Sequence, residues 1–184
     1  MALLNSTMVP LGTAAINFKL PGVDGEEYSL TSFSEDSVLV IIFMCNHCPY
    51  VKAVIQRLID LQKEVSDQGV RLVGINCNDA KKYADDSFEN MKSVSKGWRM
   101  NFPYLLDESQ EIAKKYEAVC TPDIYVYGQE RKLLYRGRID DNWEKADQVR
   151  KRDLKQAIDC ILGGKKVPEE QIPSMGCSIK WKMS

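Results

Sequence analysis

The chain has 184 residues, a mass of 20.9 kDa and a formal net charge of −1. This length is sufficient for one domain with a sizeable core, and the near-zero charge gives no electrostatic basis for binding nucleic acid or an anionic membrane. Residues 1–12 contain no Lys or Arg and no long apolar run. We therefore expect no signal peptide, no membrane span and a cytoplasmic location.

The N-terminal part of the sequence predicts a β-hairpin after an irregular arm at residues 1–12. Residues 16–20 alternate apolar and polar side chains as a short strand does, and residues 26–30 form the returning strand. Between them, residues 21–25 read Pro-Gly-Val-Asp-Gly, which is rich in turn-forming residues. Residues 31–36 predict a loop or a single helical turn.

The next three elements predict a strand–helix–strand unit. Residues 38–44 are almost wholly apolar, as expected of a central parallel strand that is buried on both faces. Apolar residues at helical spacing follow to about Gln68, and Gly69 ends that helix. A second buried strand at residues 70–76 completes the unit, with a right-handed crossover.

The second half of the chain predicts shorter elements and a final helix. They are a helix from Asp85 to about Lys96 that Gly97 ends, an extended segment at 102–106, a short helix at 108–116, a hairpin of strands at 123–127 and 132–139, and a helix at 150–162. The tail, residues 165–184, has two prolines and little periodicity. This order predicts an α/β sandwich around one mixed sheet, in a single domain that spans residues 1–184.

Cys45 and Cys48 form a Cys-x-x-Cys pair where the first buried strand runs into the long helix. Unpaired backbone N–H groups and the helix dipole favour a thiolate at such a position. We assign Cys45, the N-terminal and more exposed member, as the attacking thiolate with a lowered pKa, and Cys48 as the resolving thiol. Two half-buried cysteines that only pack as small hydrophobic residues are the alternative.

His47 is the only histidine in the chain, and it lies between the two thiols. Hydrogen bonds from the backbone N–H groups of His47 and Cys48, together with charge on the imidazole, are expected to stabilise the Cys45 thiolate. A solvent-exposed histidine without a partner is the alternative. Pro49 suits the first turn of a helix, but it disfavours helical geometry at Cys48, so the sequence does not fix where the helix begins.

Four segments of the chain resemble the thioredoxin-fold superfamily, and within it a redoxin branch that is similar to AhpC/TSA proteins. They are residues 43–52, Cys120-Thr121-Pro122, residues 135–142 and residues 176–182, and the resemblance covers about residues 9–182. It implies a thioredoxin-like fold, a mixed central sheet flanked by helices, with an N-terminal β-hairpin. It also implies a redoxin-type insertion at residues 80–107.

The resemblance implies a substrate-binding role for the segment around Pro122, whose peptide bond is cis in this superfamily and faces the thiol pair. The backbone of Thr121 would then be free to pair with an extended substrate segment. Cys120 is expected on the rim of the site, either as a substrate contact or as a structural thiol.

The sequence departs from two patterns of its relatives. Leu39 stands where thioredoxins keep a buried acid, so the proton acceptor for the resolving thiol is His47, water or a nearby Asp or Glu. The Pro-x-x-x-Thr/Ser-x-x-Cys pattern of peroxiredoxins fits neither Cys45 nor Cys48.

The remaining cysteines are interpreted as structural, with one open case. Cys77 and Cys160 are assigned to packing. Cys177 in the tail is either a second resolving cysteine or part of a docked structural tail. Cys45, His47 and Cys48 are too tightly spaced for a usual zinc site, so we expect no metal and no cofactor beyond the redox-active pair.

These features predict a thiol–disulfide oxidoreductase with a redox-active disulfide. Its partners would be a protein or small-molecule disulfide and a cellular thiol reductant, with no nucleic acid and no membrane; the oligomeric state does not follow from the sequence. A peroxiredoxin-like thiol peroxidase with an antioxidant role is the first alternative. A thioredoxin-fold interaction module without turnover is the second.

Overall fold

The computed structural model describes residues 3–183. Ten strands form three sheets: β1 (Leu3–Asn5), β2 (Lys19–Pro21), β3 (Glu27–Ser29), β4 (Val38–Phe43), β5 (Val70–Asn76), β6 (Tyr104–Leu106), β7 (Cys120–Thr121), β8 (Asp123–Tyr127), β9 (Leu133–Arg136) and β10 (Met175–Ser178). The four α-helices are α1 (Pro49–Val65), α2 (Phe88–Trp98), α3 (Glu111–Lys115) and α4 (Asp153–Leu162).

The central sheet has five strands in the order β6-β5-β4-β8-β9. β4 pairs in parallel with β5, and β5 in parallel with β6, whereas β8 runs antiparallel to both β4 and β9. Every residue of β4 is fully buried, which explains why its sequence is a continuous apolar run rather than an alternating one. The mixed α/β sheet flanked by helices confirms the predicted thioredoxin-like fold.

Alternate residues of β4 pack into two different cores, one on each face of the sheet. Val38, Val40 and Ile42 pack in one core with the apolar faces of α1 and α4. Leu39, Ile41 and Phe43 pack in the other with residues from α3 and from the N-terminal hairpin. Successive side chains of β4 point to opposite faces of the sheet, and each set packs against the apolar side chains that cover that face.

Two predictions about the chain ends are corrected by the second sheet, which has the order β1-β10-β7. The arm at residues 1–12 is not wholly irregular, because residues 3–5 form β1 and pair with β10; residues 1 and 2 lie outside the described part. The tail contains β10, which pairs antiparallel with β7. The fold therefore has three sheets rather than one, the third being the predicted hairpin of β2 and β3.

Both ends of α2 differ from the prediction. α2 begins after Ser87, whose side chain caps it, and continues through Gly97 to Trp98. Arg99 ends it instead, at φ 56°, and the Arg99 N–H bonds back to the Lys96 and Ser95 carbonyls. A left-handed residue that caps a helix need not be glycine when its backbone bonds are made. Between residues 3 and 183, no helix is both long and apolar enough to cross a membrane.

Candidate active site

The Cys-x-x-Cys segment connects β4, which ends at Phe43, to α1, which begins at Pro49. Cys48 is the N-cap of the helix, with extended backbone angles of φ −66° and ψ 123°. Pro49 occupies the first turn, where its missing N–H removes no helical hydrogen bond. The start of the helix, which the sequence left open, therefore lies at Cys48 and three residues after Cys45.

Both sulfurs are buried and both cysteines are free thiols. Cys45 is 1% exposed and Cys48 is fully buried. Neither cysteine is accessible to solvent, so the expected difference in exposure between Cys45 and Cys48 is nearly absent. The reason is the second sheet, whose strands β7 and β10 lie against the start of α1 and close over the pair.

Thr121 contacts both sulfurs. Its hydroxyl oxygen lies 3.6 Å from Cys45 Sγ, and its carbonyl oxygen lies 3.1 Å from Cys48 Sγ. The Thr121–Pro122 peptide bond is cis, as the resemblance implied. The segment predicted to face the thiol pair does face it.

The sequence predicts that the backbone of Thr121 is free to pair with a substrate, but the structure contradicts this. Cys177 of β10 is the antiparallel partner of Thr121, and Ser178 is the partner of Cys120. The chain's own tail therefore occupies the edge on which an extended peptide was expected to add as a strand. Cys120 itself is fully buried, its thiol lies 3.7 Å from the Pro122 carbonyl oxygen, and burial raises its pKa, so it does not lie on an open rim.

His47 is held by an acid from the predicted insertion. Its Nδ1 lies 2.7 Å from Oδ2 of Asp86, which belongs to a 3₁₀ turn before α2 and is fully buried. The imidazole also stacks on the Tyr83 ring, with centroids 5.5 Å apart and ring planes 6° apart. The alternative of an unpartnered, solvent-exposed histidine is excluded by these contacts.

The same carboxylate fixes the backbone of the thiol loop. Asp86 Oδ1 accepts the Asn46 N–H at 2.7 Å, and Asp86 Oδ2 also accepts the side-chain amide of Asn78 at 2.7 Å. The Asn46 side chain in turn donates to the Asp85 carbonyl at 2.7 Å and accepts the Tyr104 hydroxyl at 2.9 Å. A buried carboxylate needs such donors, and here they come from two separate segments, the thiol loop and the residues after β5.

In the structure the lowered pKa falls on Cys48, whereas the sequence predicts it on Cys45. The Cys45 thiol, then the Thr121 and Cys177 side chains and the Val51 N–H, interact with the Cys48 sulfur and lower its pKa to about 4 against the opposing effect of burial. Interaction with Cys48, burial and the negative charge of Asp86 raise the pKa of Cys45 well above its ordinary value.

The position of the helix start explains this reversal. Cys48 is the N-cap and Val51 the third helical residue, so the N–H groups of the first turn, that of Val51 among them, favour negative charge on the Cys48 sulfur. The backbone N–H after Cys45, that of Asn46, is bonded to Asp86 instead. The proton of the pair therefore stays on Cys45, whose thiol donates to the Cys48 thiolate.

Cys45, His47 and Asp86 are the one cluster of three metal-ligating residue types within residues 3–183, and one donor atom from each lies within 4.8 Å of the others. Asp86 already receives its donors from Asn46, Asn78 and His47. Its carboxylate is thus bonded as a hydrogen-bond acceptor. The expectation of no metal stays a prediction.

A pocket of about 380 Å³ opens beside Pro122. Its walls include Tyr50 and Trp143, whose ring centroids lie 4.3 Å apart, and also Met175 at the start of β10. The rim carries Arg138 and acidic side chains from the segment that follows β9. The pocket is therefore largely apolar and adjoins the cis-proline, and no residue of the insertion lines it.

Sequence reasoning missed Asp86 as a site residue. The Asp85-Asp86-Ser87 run predicts the start of a helix, and Ser87 is indeed the N-cap of α2. The absence of an acid at Leu39 indicates that another acid is needed near the thiols. No sequence pattern identifies Asp86 as that acid, because it lies 40 positions downstream of Asn46.

Two solved structures are similar to this chain over nearly its whole length. An uncharacterized conserved protein from Geobacillus kaustophilus is 45% identical, covers 100% of this chain and 98% of its own, and has a TM-score of 0.95. A hypothetical protein from Sinorhizobium meliloti 1021 is 38% identical, covers 98% and 99%, and has a TM-score of 0.94. The comparison with curated proteins found no match.

More distant structures share the fold. A thiol:disulfide interchange protein of the thioredoxin family from Chlorobium tepidum TLS is 18% identical, covers 85% of this chain and 100% of its own, and has a TM-score of 0.64. The model of the AhpC/TSA family matches residues 11–136. The family and the fold support a redox function in general. Because that match spans more than half of its 184 residues, the chain belongs to the AhpC/TSA family.

Proposed function

We propose that the protein is a thiol–disulfide oxidoreductase that works through Cys45 and Cys48. The observation that carries this proposal is the placement of two free thiols at the start of α1, where Thr121 contacts both sulfurs. The pKa of Cys48 is lowered to about 4, whereas that of Cys45 is raised. At neutral pH such a pair holds one nucleophilic thiolate and one protonated thiol, which is what a two-step exchange requires.

The order of the two steps is the reverse of the one expected from the sequence. The Cys48 thiolate attacks one sulfur of the substrate disulfide, a Cys48–substrate disulfide forms, and the other substrate sulfur leaves as a thiolate. Cys45 then loses its proton and attacks Cys48, the Cys45–Cys48 disulfide forms, and the second substrate thiolate leaves. Two electrons pass from the pair to the substrate.

The proton acceptor for Cys45 is the His47–Asp86 pair in this proposal. One donor atom of each lies within 4.8 Å of the Cys45 sulfur. Asp86 fixes the imidazole through Nδ1 and replaces, from another element, the acid that is absent at Leu39. A carboxylate that orients a histidine in this way also stabilises the imidazolium that forms when a proton arrives.

The substrate is a protein or small-molecule disulfide, and the pocket beside Pro122 is where its neighbouring groups bind. The aromatic walls formed by Tyr50 and Trp143 favour an apolar side chain next to the disulfide. Because β10 already pairs with Thr121, it must move aside before a peptide can pair there.

The test is reduction of insulin disulfides with a thiol reductant, beside consumption of hydrogen peroxide. We expect insulin turnover by the wild-type protein and by Cys160→Ser, a matched control whose thiol lies on α4 away from the pair. Cys48→Ser and Cys45→Ser should both lose turnover. Peroxide consumption without insulin reduction would support the peroxidase instead, and neither activity, with slow alkylation of Cys48, would support an interaction module.

A further inference from the structure

The strand register places a third cysteine at the thiol pair. In the pairing of β7 with β10, Cys177 is directly opposite Thr121. Side chains of directly opposed residues in an antiparallel pair project to the same face of the sheet. Thr121 already contacts both sulfurs of the pair through its hydroxyl and carbonyl oxygens, so Cys177 lies on the same side as the pair.

Cys177 lies next to the thiol pair. It is opposite Thr121, whose carbonyl oxygen lies 3.1 Å from Cys48 Sγ, and it packs in the same apolar core as Cys45 and Cys48. Cys177 is 3% exposed. Cys48 is therefore the sulfur with a thiol neighbour on either side, Cys45 in its own loop and Cys177 in the tail.

The tail is fitted closely to this position. A Cβ atom built on Gly176 would lie 2.0 Å from the Thr121 carbonyl oxygen and 3.1 Å from the Pro122 nitrogen. Only glycine allows the strand to approach the cis-proline segment this closely. The N-terminal strand β1 then closes the other edge of β10, with Leu3 opposite Cys177. The position of Cys177 beside Cys48 is therefore fixed by the pairing of β10 with β7 and with β1.

We propose that Cys177 is a third redox cysteine, which exchanges with the oxidised pair to form a Cys48–Cys177 disulfide. This inference rests on the proposed function, because turnover supplies the Cys45–Cys48 disulfide. The Cys177 thiol loses its proton and attacks the Cys48 sulfur, the Cys45–Cys48 bond breaks, and Cys45 leaves as a thiolate that takes up a proton. One disulfide is replaced by another, so no further oxidant or reductant is consumed.

The exchange has a consequence for access to the site. A Cys48–Cys177 disulfide fastens β10 to the start of α1 and holds it on the Thr121 edge. The oxidised protein then excludes extended substrates until a small thiol reductant opens the bond. In the reduced protein only strand hydrogen bonds and packing hold the tail, so it can be displaced.

Trypsin separates the relevant cysteines, which makes the disulfide directly observable. Cys45 and Cys48 share the peptide 20–52, Cys177 lies in 167–180 and Cys120 in 116–131. The native protein is oxidised with one equivalent of diamide, freed of reagent, sampled over time, quenched with acid and N-ethylmaleimide, digested and analysed by mass spectrometry. A sample denatured before oxidation is the control for random pairing.

We expect a disulfide between peptides 20–52 and 167–180 to increase while the internal disulfide of 20–52 decreases, at constant free-thiol content. Cys45→Ser should give only the cross-linked peptides, which identifies Cys48 as the partner. Cys177→Ser should give only the internal disulfide, and Cys160→Ser should behave as wild type.

Three results would overturn the inference. They are absence of the cross-linked peptides in wild type, their appearance only in the denatured control, and pairing of 167–180 with 116–131 instead. If the internal disulfide forms and insulin is reduced in those cases, the proposed function stands and Cys177 has no redox role. If the internal disulfide never forms, the proposed function fails as well.

Discussion

Asp86 Oδ2 lies 2.7 Å from His47 Nδ1, and this contact joins the insertion to the thiol loop. The carboxylate is fully buried, and its other oxygen accepts the backbone N–H of Asn46. One side chain therefore fixes both the imidazole and the backbone between the two cysteines. Leu39 of β4 is apolar, so the buried carboxylate beside the thiol loop comes from a different part of the fold.

Replacing Asp86 should impair the second step of exchange. In Asp86→Asn the oriented acceptor pair is lost, and because positioned acid–base groups contribute about 10²-fold or more to rates, we expect turnover to fall at least tenfold. The readout specific to this role is the pH profile, since added alkalinity should partly restore the rate by removing the Cys45 proton directly. Asp85→Asn is the matched control, because only its backbone carbonyl serves the loop. An unaltered pH profile in Asp86→Asn would contradict the role.

Cys48 should be the thiol that reacts in weakly acidic solution. Because its pKa is lowered to about 4 while that of Cys45 is raised, iodoacetamide should label Cys48 before Cys45. Labelling takes place when β10 is displaced, either permanently or by transient opening. Thiolate absorbance in the ultraviolet should show one ionised sulfur at about pH 6, and Cys48→Ser should lack it. If Cys45→Ser lacked it instead, the assignment of the two sulfurs would be reversed.

The same shift predicts how the stability of the reduced protein depends on pH. Between about pH 4 and the ordinary thiol range near 9, folded Cys48 has released its proton while the unfolded chain still holds one. The unfolded state binds more protons, so the contribution of Cys48 to the free energy of unfolding rises with pH and is lost as the pH falls towards 4. Urea unfolding of the reduced wild type and of Cys48→Ser, at about pH 5 and about pH 7, should show a smaller pH dependence in the variant.

Adding one methyl group at Gly176 should release β10 from β7. In Gly176→Ala the added Cβ meets the Thr121 carbonyl oxygen, which is part of the backbone and has little room to move. We expect β10 to separate from β7, so that alkylation of Cys48 becomes at least tenfold faster. Gly97→Ala is the matched control, because a Cβ there meets no atom within 4 Å. Equal alkylation rates in the two variants would show that β10 does not limit access to the pair.

The sequence was sufficient for the elements whose pattern is local. The apolar run of β4, the helical spacing of α1 and the turn residues of the hairpins each predict their own structure, and the five-stranded sheet follows from their order. The covering of the site was not predictable in this way. β10 has only four residues, and what holds it is pairing with Thr121 and with β1, which are distant in sequence. The same is true of Asp86, whose role depends on where the insertion folds back.

Removing one partner of the buried ion pair beside the site should strongly destabilise the protein. Arg136 Nη2 lies 3.3 Å from Asp123 Oδ2, both side chains are fully buried, and the hydroxyl of Ser6 bonds to both residues. Burial raises the pKa of Asp123, while Arg136 acts to lower it. Asp123→Asn would leave the guanidinium buried without its counter-charge, and loss of one partner of such a pair typically costs about 3–5 kcal/mol.

The matched control is Glu27→Gln, which removes an exposed ion pair with Lys19. Exposed pairs contribute about 0–1 kcal/mol, so this variant should unfold in urea at nearly the wild-type midpoint. Because Ser6 follows β1, Asp123→Asn should also loosen the strand that covers β10 and should speed alkylation of Cys48. A loss of stability without faster alkylation would show that the ion pair supports the fold but not the closure of the site.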